Sequence, residues 1–164
     1  MTDESVASGS SSGGTYDLPP ELVVTASGAV RTVTISRPEQ LNAVNPALHW
    51  ALANVWRQLS ADREARVVIL TGAGRTFCAG GDLDWLSQFP TDAVARYESL
   101  REGAEIIEEM IRFPLPVIGA LNGAAVGLGC NIAVLCDVLL MSEKANLADP
   151  HISVGLVAGD RGAA

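Results

Sequence analysis

The chain has 164 residues, 48% of them hydrophobic, and a formal net charge of −8. That length and apolar content suit one domain with a sizeable core rather than two. The acidic balance, with Lys144 as the only lysine, argues against a nucleic-acid surface, and an anionic ligand must rely on local donors and arginines.

Residues 1–18 are rich in Ser, Gly, Thr and acidic side chains and are read as a flexible tail, because they cannot bury enough apolar area to offset the entropy of ordering. They have neither the basic start nor the apolar run of a secretory signal. Residues 21–26 and 30–35, joined by a turn at Ser27-Gly28, read as a β-hairpin whose second arm alternates Arg31, Val33 and Ile35 against Val30, Thr32 and Thr34. Arg37-Pro38 ends it.

Asn45-Pro46 is a helix start, with a side-chain acceptor at the cap and proline at the first helical position. Leu48, Ala51, Leu52, Val55 and Leu59 then form one apolar stripe. His49 lies beside the stripe and reads as a partly exposed helix histidine, since no ionisable partner is near it in sequence. Residues 66–71 form a nearly continuous apolar strand, of the kind found in sheets covered on both faces.

Asp82 is placed to cap a short helix over residues 83–86. Thr91 opens a longer helix that stops before Pro114, with Val94, Tyr97, Leu100, Ala104, Ile107 and Ile111 as its apolar side. A strand at 117–121, a helix at about 128–135, a strand at 138–142 and an apolar piece at 152–157 follow. The long apolar run over 114–141 is interrupted by Asn122, Asn131 and Asp137, which favours a buried strand-helix-strand unit over a membrane span. Strands alternating with helices define an α/β protein. Cys78, Cys130 and Cys136 lack the paired spacing of a zinc site and read as buried, reduced thiols of a cytoplasmic protein; no metal or other cofactor is expected.

Two glycine-rich runs carry the chemistry. Arg75-Thr76-Phe77-Cys78-Ala79-Gly80-Gly81-Asp82-Leu83 follows the strand at 66–71, and Asn122-Gly123 through Gly127-Leu128-Gly129-Cys130-Asn131 follows the strand at 117–121. Each leads into a helix, so each can aim backbone N–H groups at one spot, and small residues let a substrate carbonyl approach the main chain. The second run lacks the third glycine of a dinucleotide fingerprint. There is neither a Gly-Lys-Ser/Thr phosphate loop nor a Gly-x-Ser-x-Gly elbow.

These runs, with Arg37-Pro38, Leu41-Asn42-Ala43 and Cys136-Asp137 in the same order and spacing, resemble the signatures of the enoyl-CoA hydratase/isomerase (crotonase) family from about Leu22 to the chain end. The resemblance implies the ββα superhelix of the ClpP/crotonase fold, here expected over residues 19–164 and lacking the C-terminal trimerisation region, with a homotrimer or hexamer for a full-length form. It implies an acyl-CoA thioester as substrate, coenzyme A entering only as part of it, and an oxyanion hole made by the N–H groups of Gly81 and Leu128. Ala43, Ala79, Asp82 and Leu83, with Gly127 and Gly129, would line the ligand path. Asp84 stands where a basic residue often follows the Gly-Asp-Leu element.

Asn131 and His151 occupy the positions of the two hydratase glutamates, so hydration by a glutamate pair is not expected. His151 and Asp160 remain as candidate proton carriers, with loop packing as the alternative reading of each. The rival to an enzyme is an inactive crotonase-like protein that binds acyl-CoA or partner subunits without turnover.

Overall fold

The computed structural model describes residues 16–154, and the side chains of those residues except Ser153 and Val154. A five-stranded sheet has the order β1-β2-β3-β4-β6, from β1 (Leu22–Ser27), β2 (Val30–Ile35), β3 (Val67–Gly72), β4 (Val117–Leu121) and β6 (Val138–Met141). β1 and β2 form the expected antiparallel hairpin, with Ser27 opposite Val30, and every other pairing in this sheet is parallel. The parallel pairs require helical crossovers. These are α1 (Pro46–Ala61) between β2 and β3, α2 (Leu83–Leu86) and α3 (Ala93–Arg112) before β4, and α4 (Leu128–Val134) before β6. A second, two-stranded parallel sheet pairs β5 (Ala125–Val126) with β7 (Leu147–Ala148).

The helix start at Asn45 forms as its sequence dictates. The Asn45 side chain accepts a hydrogen bond from the Leu48 N–H at 2.9 Å, with Pro46 in the first turn. The whole stripe Leu48, Ala51, Leu52, Val55 and Leu59 is buried and joins Val33, Ile35, Val68 and Leu70 in one core cluster. Trp56 closes that cluster with its ring edge-on to Phe113, centroids 5.3 Å apart.

The α3 stripe is a correction. Val94, Tyr97, Leu100 and Ile111 are exposed, and the buried positions are Gly103, Ile106, Ile107 and Met110. Both sets follow three- and four-residue steps and share Ile107, so periodicity alone does not choose between them; packing against α1 does. The cap of α3 is Asp92, which accepts from Val94 and Ala95, and not Thr91, because its carboxylate reaches both free N–H groups of the first turn. β3 buries one face and only part-covers the other, a departure from the two-sided burial its apolar run suggested.

Of the expected tail, residues 1–15 lie outside the described residues, and Tyr16 to Leu18 are held in place. The Tyr16 hydroxyl donates to Asp62 at 2.6 Å, the Asp17 N–H donates to the Gln58 side chain, and Leu18 packs on the core. Fully buried Arg31 joins this network through Nε to Asp62 at 2.6 Å. Hydrogen bonds from Arg31 and Tyr16 hold the Asp62 carboxyl well below the usual carboxylate range, and burial with the Asp62 contact pushes the Tyr16 phenol up to about 12.

The sign of the acid response follows. A carboxyl depressed in the folded state contributes stability that is complete above its unfolded pKa and is lost as pH falls toward the folded value. Asp62→Asn should therefore be less stable than the parent at neutral pH yet lose less stability between about pH 4 and 2. Denaturant titrations at several pH values read this; parallel stability curves for the two proteins would overturn it.

Candidate active site

The loop after β3 is pinned by two asparagines. Asn42, fully buried and in the left-handed region at φ 57°, sends its Nδ2 to the carbonyls of Ala73 at 2.9 Å, Thr76 at 2.7 Å and Phe77 at 3.2 Å, while its Oδ1 accepts from the Arg37 N–H at 2.9 Å. Asn122, just past β4, donates to the Gly74 carbonyl at 2.8 Å and accepts from the Gly72 N–H at 3.2 Å. Gly123 lies so close behind that a Cβ would sit 2.0 Å from the Arg75 carbonyl oxygen.

The segment after this loop is then threaded between two others. Val44 donates to the Gly80 carbonyl at 2.7 Å and accepts from the Asp82 N–H at 2.9 Å; on the other side Val126 donates to Cys78 at 2.9 Å and Cys78 to Ala124 at 3.1 Å. These contacts fix the peptide orientations. The Gly80 carbonyl points at Val44, so in a trans peptide the Gly81 N–H points the opposite way, toward the second glycine run. The Gly127 carbonyl accepts from Asn131 within α4 at 3.0 Å, so the Leu128 N–H points out of the helix N-terminus.

The two glycine runs touch. Gly80, at φ 85°, comes so close to Val126 that a Cβ would meet its carbonyl oxygen at 2.8 Å, and the space a Gly127 Cβ would take is 3.9 Å from the Gly80 Cα. His151 stands over this junction, with its Cε1 and Nε2 each 3.8 Å from that same space. Its Nδ1 is hydrogen-bonded to Asp149, and this contact lowers the Asp149 pKa.

A cleft of about 800 Å³ opens from the junction. Ala79, Gly80, Gly81, Gly127, Leu128 and His151 line one end. Leu83, Trp85, Leu86 and Phe89 line the α2 side, and Arg96, Ser99, Leu100 and Gly103 the α3 side. Of the residues singled out in the sequence, Ala79, Gly81, Leu83, Gly127, Leu128 and His151 therefore meet in one place.

The others have different positions. Asp82 caps α2 through Asp84 N–H at 3.1 Å and pairs with Arg37 at 3.2 Å, and Arg37 also donates to the Ala43 carbonyl. Asp82 and Ala43 thus brace the wall and do not line the cleft. Gly129 packs against Cys78, where a Cβ would meet the Cys78 oxygen at 2.6 Å. Asn131 is buried in α4, and Asp160 lies outside the described residues. Burial pushes the Cys78 thiol up to about 11 and the Cys136 thiol to about 12, so neither is a thiolate at neutral pH.

His49 corrects its expected role. It is 4% exposed, lines the cleft, binds Glu102 Oε2 through Nδ1 at 2.8 Å and lies edge-on to Trp85 at 5.2 Å. Its partner is 53 residues away on α3, a contact that no local sequence pattern signals.

This architecture and threading define an α/β protein of the crotonase fold. The Enoyl-CoA hydratase/isomerase family model matches residues 25–163, and the chain belongs to that family. It is similar to the crystal structure of an enoyl-CoA hydratase/isomerase from Mycobacterium paratuberculosis, at 49% identity and TM-score 0.86 over 88% of this chain and 58% of that one. It is 34% identical to the 2,3-dehydroadipyl-CoA hydratase of Escherichia coli over 87% of this chain and 54% of that protein. It is also 34% identical to 1,2-epoxyphenylacetyl-CoA isomerase of the same organism over 78% of this chain and 50% of that protein. The chain spans about half the length of these relatives.

The close approach at Gly123 should be costly to fill. Gly123→Ala is expected to destabilise the protein by more than about 2 kcal/mol, since the opposing atom is backbone and cannot yield. Gly28→Ala, in open space at φ 56°, should cost only the left-handed strain of about 1–2 kcal/mol. Chemical denaturation compares the two, and an equal or smaller loss for Gly123→Ala would contradict the assignment.

Proposed function

We propose that the protein carrying this chain is an acyl-CoA enzyme that stabilises a thioester enolate between the N–H groups of Gly81 and Leu128. The observation that supports this reading is the pair of peptides whose carbonyls are fixed by Val44 and by α4, with Gly81 and Leu128 both lining one end of one cleft. A thioester carbonyl seated there accepts two hydrogen bonds that strengthen as charge moves onto oxygen, each worth about 2.7–4 kcal/mol in the transition state. The leucine side chain at 128 does not interfere, because the donor is main chain.

His151 is the proton carrier of this proposal. Asp149 holds its Nδ1, and Nε2 stands beside Gly127, where a neutral imidazole nitrogen can take a proton from the α-carbon and return it at another carbon of the enolate. One such carrier suits double-bond isomerisation or another α-proton reaction. With Asn131 buried in α4 and no carboxylate at 151, activation of water is left without the second group, so hydration should be slow. Asp160 is the other candidate for the carrier. No cofactor is needed beyond the coenzyme A of the substrate, and the intact protein is proposed to act as a homotrimer or hexamer in the cytoplasm. Among the described residues no helix is long and apolar enough to cross a membrane. One relative, 34% identical, is a probable peroxisomal enoyl-CoA hydratase of Arabidopsis thaliana. That so many relatives are named as hydratases or isomerases supports turnover over inert binding.

Gly81→Pro removes one donor without removing the Val44 hydrogen bonds, at the cost of shifting the Leu86 side chain, whose Cδ1 a Cβ there would meet at 2.9 Å. Turnover should fall by at least about 100-fold, while Gly81→Ala, which meets the same Leu86 contact but keeps the N–H, should lose much less. Rapid catalysis by the proline variant would end the proposal. His151→Ala and Asp160→Asn, compared on matched substrates for hydration and for isomerisation, locate the carrier: loss of α-proton exchange in one variant identifies it. Fast hydration by the parent, indifferent to both changes, would show that the acid/base group lies elsewhere.

A further inference from the structure

The mechanism above leaves unused one titratable pair beside the cleft, of which buried His49 lines it. His49 sits in the early part of α1, its Nδ1 tied to Glu102 of α3, and among the described residues no second hydrogen bond engages its ring. The ring nevertheless lines the cleft that begins at Gly81 and Leu128. Around it the wall is apolar: Trp85, Leu86 and Phe89 from the α2 side and Leu100 from α3. A plain hydrocarbon laid over the ring would cover a polar atom without giving it a partner, and that costs binding free energy.

Glu102 is the means by which the ring is aimed. With Nδ1 facing the carboxylate, Nε2 is the remaining polar atom, and it acts as acceptor when the ring is neutral and as donor when the ring is protonated. Arg96, one to two turns before Glu102 on the same helix, places a guanidinium on the same cleft and donates to the Phe89 carbonyl at 2.5 Å. The polar atoms of this wall thus come from His49 and Arg96, with Ser87 and Ser99 beside them.

Resting on the reading of the glycine junction as the thioester site, we propose that His49, positioned by Glu102, is a specificity-determining contact for the acyl group. It selects acyl chains that carry an oxygen substituent beyond the thioester, as a hydroxyl or a carboxylate, over plain alkyl chains. An alkyl group reaching this wall leaves Nε2 without a partner, whereas an oxygen function satisfies it. Glu102 is a positioning residue in this arrangement, and Arg96 favours the carboxylate form of the substituent.

The test measures dissociation constants by calorimetry with the intact protein. Butanoyl-, hexanoyl- and octanoyl-CoA are each compared with the terminal hydroxy and terminal carboxy thioester of the same length. At one length or more the oxygen-bearing ligand should bind about tenfold or more tightly than its alkyl counterpart, the usual scale of a hydrogen bond involving a charged group. The ratio should approach one in His49→Leu, fall partly in Glu102→Gln and be retained in part by His49→Gln. Arg96→Met should reduce the carboxylate preference and spare the hydroxyl one.

A ratio of affinities within one variant does not depend on how much of that variant is folded, so global unfolding cannot imitate the result, and partial retention in His49→Gln separates a lost hydrogen bond from a disturbed wall. Equal binding of alkyl and oxygen-bearing ligands by the parent, or a preference that survives His49→Leu, overturns the assignment while leaving the thioester site intact. No binding of any of these thioesters overturns both.

Discussion

The site depends on two asparagine side chains that satisfy a loop no secondary structure could satisfy. Residues 73–77 leave the sheet at the end of β3 with their carbonyls turned inward, where each unmet acceptor would carry a desolvation cost. Asn42 covers three of those carbonyls and Asn122 takes one more while returning an acceptor to Gly72. The two asparagines arrive from opposite directions in sequence, one from the turn before α1 and one from the end of β4. They therefore tie the first and second glycine runs to a common frame before either reaches the cleft.

Peptide planarity does the rest. Once Val44 has fixed the Gly80 carbonyl and α4 has fixed the Gly127 carbonyl, the directions of the next two N–H groups are no longer free. In the proposed thioester site such donors are preorganised, because no group would have to turn as charge develops on the carbonyl oxygen. Because the donor at 128 is main chain, a leucine can stand there between two glycines, whereas a Cβ at Gly81 would meet Leu86 Cδ1 at 2.9 Å. The glycines at 80, 123 and 129 serve contact instead: each lies against backbone where a Cβ has no room.

How much of this was legible in the sequence divides by range. The cap at Asn45, the α1 stripe, the hairpin and the Asp82 cap are local, decided by residues within a few positions of each other, and all formed as read. The meeting of the glycine runs was legible only through the resemblance, since nothing in periodicity brings residue 81 to residue 128. The α3 face was misread because its sequence holds two overlapping apolar stripes, and only contact with α1 selects Gly103, Ile106, Ile107 and Met110. His49 was misread for a related reason: its carboxylate partner and its aromatic neighbour come from two other helices.

These errors fall on one side of the cleft, and that has a physical meaning. The end of the cleft made by the glycine runs is main chain, and backbone hydrogen bonds leave a local signature of glycine, asparagine and proline. The opposite wall is made by side chains of α1, α2 and α3 packed across one another, where any residue of suitable size can serve and no short motif is required. Val94, Tyr97 and Ile111 lie exposed on α3, and Val138, Leu140 and Met141 on the edge strand β6, so packing there is not dictated by the sheet either. The main-chain end of the cleft can thus keep one geometry whatever side chains form the walls, as the proposed thioester site requires. Under the proposed reading, Asn131 and His151 at the positions where the resemblance places the hydratase glutamates, and His49 with Glu102 at the far wall, belong to the side-chain part of the site: they would leave the main-chain donors untouched and change which proton moves and which acyl group is held.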